Sequence, residues 1–181
     1  DTDEFLVSDA GTLKRIDYSL IKGGGITNAQ QWRITTSFTG SATPISANWE
    51  EADTDGYGRL GDAMASSSGI FTFPSTGYWH ITSTMTFISN GGGGSVGLQY
   101  GMNKLQTTTD NSTYDDAAGT YGSARVDTYY ITTSGNFLFD VTDTSTHKVR
   151  LSVALSDSNA TIMGDSNMNR TYLTFVRLGD T

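Results

Sequence analysis

The sequence predicts an all-β protein, an antiparallel sandwich or jelly roll of about eight to ten strands. Three observations predict it. From Ile26 onward, runs of alternating apolar and polar residues return at regular spacing, separated by turn-forming stretches. Charged residues make up only 17% and hydrophobic residues 36%, and Thr, Ser, Gly and Asn fill the remainder; Thr and the aromatics favour strands, Gly and Asn the turns between them. No convincing long helix interrupts the strand runs. A chain of 181 residues is enough for one domain with a real core and a short appendage, and its aromatic content is too high for a disordered chain.

Residues 1–26 differ from the rest. Phe5, Leu13, Ile16 and Leu20 are apolar, and Leu13, Ile16 and Leu20 stand three and four apart, which permits a short helix after a turn at Ser8-Asp9-Ala10-Gly11. Gly23 to Gly25 then break any regular element. The segment reads as a neck with a glycine hinge, followed by a head over residues 27–181. Alone the neck cannot bury its apolar residues, so it needs the head or other copies of itself.

In the head, "QQWRITTSF" sets Trp32, Ile34, Thr36 and Phe38 on one face. Residues 50–62, acidic and Gly-rich, read as a long loop. "GIFTFPSTGYWHITSTMTFIS" reads as a hairpin turning at Pro74-Ser75-Thr76-Gly77. In its second run Trp79, Ile81, Met85 and Phe87 share one face with Ser83, and His80, Thr82, Thr84 and Thr86 the other. Gly91 to Gly94 form a turn, and Val96, Leu98, Tyr100 and Met102 follow in step. Residues 108–123 read as a polar loop. Four strands complete the chain, and in one of them Val149, Leu151, Val153 and Leu155 alternate strictly with their neighbours. Several strands are apolar on both faces, at Phe137, Leu138 and Phe139, at Tyr172, Leu173, Phe175 and Val176, and at Tyr129, Tyr130 and Ile131. One face fills the sandwich; a neighbouring subunit is the simplest cover for the other.

Charge and composition exclude several functions. The net charge is −8, and Lys14, Arg15 and Lys22 form the only loose basic cluster, which argues against nucleic-acid binding. An acidic surface suits anionic lipid poorly, no stretch reads as a signal peptide, and no apolar run is long enough to span a membrane. With no cysteine there is neither a disulfide nor a thiolate metal site. The chain begins at Asp1 without a methionine, as a fragment or processed product would.

Catalytic chemistry is sparse. The two histidines, His80 and His147, lie in or next to strands, and nothing resembles a nucleophile elbow. Glu50-Glu51 and Asp115-Asp116 are paired carboxylates, but glycoside hydrolysis needs its two carboxyls across a cleft. No cofactor is expected. The metal candidates are Asp53 and Asp55 in "DTDG" and Asp110, Asp115 and Asp116 in "DNSTYDD", oxygen-rich stretches that suit calcium yet lack EF-hand spacing. The same aspartates also read as acidic turns that keep an assembly soluble.

Phe71 followed by Gly77-Tyr78-Trp79-His80-Ile81 resembles the signature of the complement globular-head family, part of the tumour-necrosis-factor-like jelly rolls. Phe71 and Gly77 stand at the family spacing; Trp79 takes the place of a Tyr and Ile81 that of a Phe. Ser83 and Met64 replace further bulky positions. The closing "RTYLTFVRLG" resembles the terminal strand, and the resemblance covers about residues 30–181. It implies a homotrimer about a threefold axis, with Phe71, Trp79, Ile81, Phe87, Phe137, Phe139, Tyr172 and Phe175 in the core or at the trimer contact; some relatives bind calcium near the trimer apex. "FLVSDAGTLKRIDYSLI" resembles a segment of tailed-phage fibre proteins, especially marine ones, where it precedes a globular tip. Together they imply a non-enzymatic virion protein, the trimeric head of a fibre, spike or capsid decoration. It would sit at the particle surface, joined by its neck to other virion proteins, and would attach to a host glycan or protein or stabilise the particle. The alternatives are a glycan-degrading depolymerase tip and a secreted globular-head lectin.

Overall fold

The computed structural model describes residues 4–17, 25–89, 97–126 and 128–181. Fourteen strands run through them: β1 Glu4–Asp9, β2 Thr12–Asp17, β3 Asn28–Ile34, β4 Thr36–Thr39, β5 Trp49–Glu51, β6 Ala65–Ser67, β7 Ile70–Thr72, β8 Gly77–Ile88, β9 Gly101–Thr108, β10 Asp115–Gly122, β11 Tyr130–Val141, β12 Lys148–Leu155, β13 Thr161–Asp165 and β14 Tyr172–Gly179. None of the described residues is helical. The strand number exceeds the expected eight to ten because of the N-terminal strands and several short edge pieces.

Two antiparallel sheets face each other. One has five strands in the order β10-β9-β12-β7-β6; the other has seven, β4-β13-β8-β14-β3-β5, with β11 on the opposite edge of β8. The long strands form where the alternation is strict. Along β8, Trp79, Ile81, Ser83, Met85 and Phe87 are all buried and the residues between them are not, as the sequence predicts. In β12, Val149, Leu151 and Val153 are buried on the facing wall. Phe71, Ile81, Phe87, Phe139 and Phe175 join Trp79 in this core, and Phe137 packs half-buried against it.

The predicted hairpin at 69–89 is corrected. β7 pairs with β6 and β12 in the five-stranded sheet, whereas β8 lies at the centre of the other. Residues 73–76 carry the chain from one sheet to the other, so this stretch supplies both walls of the core. Phe73 sits in the crossing, 5.2 Å from the Trp79 ring and 5.8 Å from Phe139, and Phe71 meets Phe175 at 5.4 Å. Trp79 Nε1 donates to the Ser75 carbonyl at 3.2 Å, which ties the crossing to β8. Gly77 is required here: its φ is +133°, and a Cβ would lie 2.3 Å from the Gly179 carbonyl oxygen.

Three further expectations change. The segment over Leu13 and Ile16 is a strand, not a helix; β1 and β2 form a separate two-stranded hairpin turning at Ala10-Gly11, both with positive φ. Leu20, Gly23 and Gly24 lie outside the described residues, as do Gly91 to Gly94 and Val96. Of the polar stretch 108–123, Thr108 ends β9 and only residues 109–114 form a loop. The remainder is β10, an edge strand that pairs along β9 with a bulge at Asp116/Ala118. In β9 the buried residues are Gly101, Asn103, Leu105, Gln106 and Thr108, and Met102 is only half-buried, on the face opposite Asn103 and Leu105. Leu98 is buried before the strand begins, and Tyr100 is exposed. Residues 50–62 are a loop apart from β5 at its start.

Candidate functional site

Two surfaces carry unspent chemistry. The first is a cleft of about 680 Å³ between the loop at 52–57 and the β13–β14 connection, floored by Gln31 and Arg33 of β3. Its construction begins at Arg33, a guanidinium with its side chain only 2% exposed. Arg33 projects from the outer side of β3, where water would normally satisfy it, but the 50–57 segment folds over it. Nε donates to Glu50 at 2.7 Å, one terminal nitrogen to Asp53 at 2.6 Å and the other to Thr54 Oγ1 at 2.9 Å. Thr54 in turn donates to the Asn167 carbonyl, joining the two walls. Tyr57 donates to Glu51 and accepts the Gln31 amide, and burial pushes its phenol above the ordinary value. In the opposite wall Asp165 accepts the Asn167 and Met168 amides and the Arg170 guanidinium; the Asn167 amide, then Arg170, hold its carboxyl below the usual range. Asn169 bonds Gln31 at 2.9 Å.

The calcium candidates are dispersed over these and other duties. Asp53 pairs with Arg33. Asp55 stands on the cleft wall at φ +56°. Asp116 pairs with Lys104 at 2.9 Å and Gln106 at 2.6 Å, and Asp115 is exposed beside it in β10. Among the described residues no three acidic or histidine side chains form a group able to hold a metal. Asp110 closes its own turn. It accepts the Thr113 and Ser112 amides, each at 2.8 Å, and the Thr108 hydroxyl, which together push its carboxyl far below the ordinary value. A depressed folded pKa contributes stability above the unfolded carboxylate range, near pH 4, and that contribution is lost as pH falls through the folded value. Asp110→Ala should therefore lower the denaturation midpoint near neutrality, and the gap to the parent chain should narrow steadily as the pH falls below about 4. A gap of constant size from pH 7 to pH 2 would assign the effect to something other than the charge.

His147 is buried, stacked on Phe139 at 5.5 Å and bracketed by the Thr142 and Thr146 hydroxyls at 3.3 and 3.1 Å. His80 lies on the outer face of β8. Glu50 and Glu51 are engaged by Arg33 and Arg59.

That outer face of the seven-stranded sheet is the second surface. Register sets Leu138, His80 and Val176 in one row across β11, β8 and β14, then Asn136, Thr82 and Thr174, then Ser134, Thr84 and Tyr172. The hydroxyls bond one another: Thr84 with Ser134 and Thr86 with Thr132, both at 3.0 Å, while the Gln31 amide donates to Thr174 at 3.1 Å. Leu138 and Tyr130 are more than half exposed. Tyr172 thus belongs to this face and not to the core. Sequence reasoning found the face through its doubled apolar strands. It missed Arg33, Tyr57, Asn167 and Met168; the available signal was a charged residue inside an alternating strand, with an acidic run 17 residues on that could meet it.

The arrangement of the two sheets defines the class: a jelly roll of the tumour-necrosis-factor type. Neither a family model nor a curated protein matches the sequence. Among solved structures the chain is similar to murine APRIL, with 12% identity and a TM-score of 0.58, over 83% of this chain and 98% of that one. It is also similar to the Eiger TNF of S. frugiperda, with 12% identity and a TM-score of 0.57, over 87% and 96%.

Proposed function

We propose that this chain is a non-enzymatic structural protein of a virion. Three copies of the head associate, and the assembly is displayed on a fibre, spike or capsid surface, where it attaches to a host or stabilises the particle. The outer face of the seven-stranded sheet carries the trimer reading. Its Leu138–His80–Val176 row and Tyr130 present apolar surface, and its central hydroxyls are already bonded to one another, so covering them removes little hydration. The fold likeness to the tumour-necrosis-factor type supports the same assembly. The N-terminal hairpin supports the virion reading together with the fibre-like sequence: Phe5, Leu6 and Leu13 are exposed, and a two-stranded hairpin alone is marginal in water, so it needs copies of itself or another virion protein. Deleting residues 1–25 should leave a folded head that still self-associates but no longer enters particles, measured by immunoblot of purified virions. Normal incorporation would place the attachment elsewhere; failure to fold would make the hairpin part of the head.

A further inference from the structure

We propose that the cleft between residues 52–57 and 165–169 binds one unit of a neutral saccharide; this rests on the reading of the chain as a surface-attaching head and names the ligand class for it. The first argument is preorganisation. Arg33 and Asn169 fasten the two walls to β3, Thr54 joins them to each other, and Asp165 closes the turn of its own wall, so a ligand need not order the loops. Its volume falls within the range of small-molecule sites.

The second argument is charge. Arg33, the one cation lining the cleft among the described residues, is consumed by Glu50, Asp53 and Thr54, and Arg170 behind the wall is paired with Asp165. No guanidinium or ammonium there is left to receive a phosphate, sulfate or carboxylate, while the Asp55 carboxylate would repel one. A neutral ligand rich in hydroxyls is what remains.

The third argument is the matching of groups. Asp55 presents a carboxylate with no polar partner among the described residues, and Gly56 beside it leaves the backbone bare, since a Cβ there would meet nothing within 4 Å. Across the opening the Asn167 side chain offers an amide whose only bond among the described residues is a long 3.5 Å contact to Ser166. A sugar hydroxyl both donates and accepts, so a pair of adjacent hydroxyls can bridge a carboxylate and an amide. Met168, 56% exposed, and the ring of Tyr57 supply apolar surface for the C–H side of a pyranose.

The test is a backbone amide NMR titration of the whole chain with methyl α-mannoside, methyl β-galactoside, N-acetylglucosamine and, as the anionic control, sialic acid. Ligand at about 50 mM populates a millimolar site. At least one neutral sugar should shift amides at 52–57 and 165–169, with sialic acid silent there. Asp55→Gly, chosen because the site has positive φ, and Asn167→Ala should each weaken binding about tenfold. Both residues are exposed, and the same spectra report whether each variant is folded. Silence from every neutral sugar, shifts elsewhere only, a response to sialic acid alone, or unchanged binding in both variants overturns the proposal. A cell-adhesion assay separates the two readings: adhesion that persists in Asp55→Gly leaves attachment standing without the cleft, and absence of adhesion by the parent chain removes attachment while the titration still decides the cleft.

Discussion

Trp79→Ala should destabilise the protein by about 3–5 kcal/mol, the usual penalty for truncating a buried aromatic. The ring is fully buried, meets Phe73 at 5.2 Å, and bonds the Ser75 carbonyl, so the substitution opens a cavity where the chain crosses between sheets and also frees a partly buried acceptor. His80→Ala, one residue away on the outer face, should cost less than about 1 kcal/mol. Chemical denaturation at matched protein concentration measures both, since self-association adds to apparent stability. A reversed order would mean that β8 is displaced by one residue, which would turn every side chain to the other face.

Arg33→Ala should cost about 2–3 kcal/mol, less than the figure for a fully buried ion pair because the acceptors reach water. The Arg33 side chain is 2% exposed, but those of Glu50 and Asp53 are 31% and 71%. Its loss leaves two carboxylates facing one another over a void and detaches the 50–57 segment from β3. Arg33→Lys should recover little of the loss, since one ammonium cannot reproduce a planar fork directed at three acceptors. Asp53→Ala, at the exposed end, should cost below about 1 kcal/mol. Arg33→Ala within about 0.5 kcal/mol of the parent chain would show that the segment is held by β5 pairing alone.

How far the sequence was legible depends on whether one face of an element is buried by near neighbours. β8 announces itself because burial on one side forces a period of two over its whole length, and β12 keeps the same apolar alternation although Lys148 and Ser152 on its other face are buried too. β10 does not: Asp115-Asp116-Ala117-Ala118-Gly119 has poor strand propensity, and the strand forms because β9 offers an open edge. In β9 the pattern misled because the buried position is Asn103, whose amide reaches the Ser83 and Thr133 carbonyls at 3.4 Å, while the apolar Met102 is only half-buried on the opposite face. At Leu13 and Ile16 the spacing fits a helix by accident, while the Ala10-Gly11 turn decides for a hairpin. Pairing partners are non-local, so the Pro74 crossing and a hairpin look alike in one dimension. The cleft was illegible for the same reason. Its floor, its two walls and the arginine that fastens them come from residues 31–33, 50–57 and 165–169, and none carries a motif of its own.

The central claim is that the β11–β8–β14 part of the open face of the seven-stranded sheet, beside the β3 cleft, is covered by other copies of this chain. Light scattering coupled to size exclusion, at micromolar concentration, tests it most directly. The expected mass is three times the 19.4 kDa of one chain. Leu138→Asp, on a side chain 54% exposed in the single chain and hence of small consequence for its folding, should shift that mass toward one chain. A parent chain that runs as a monomer, or a Leu138→Asp variant that remains a trimer, would contradict the account of that face.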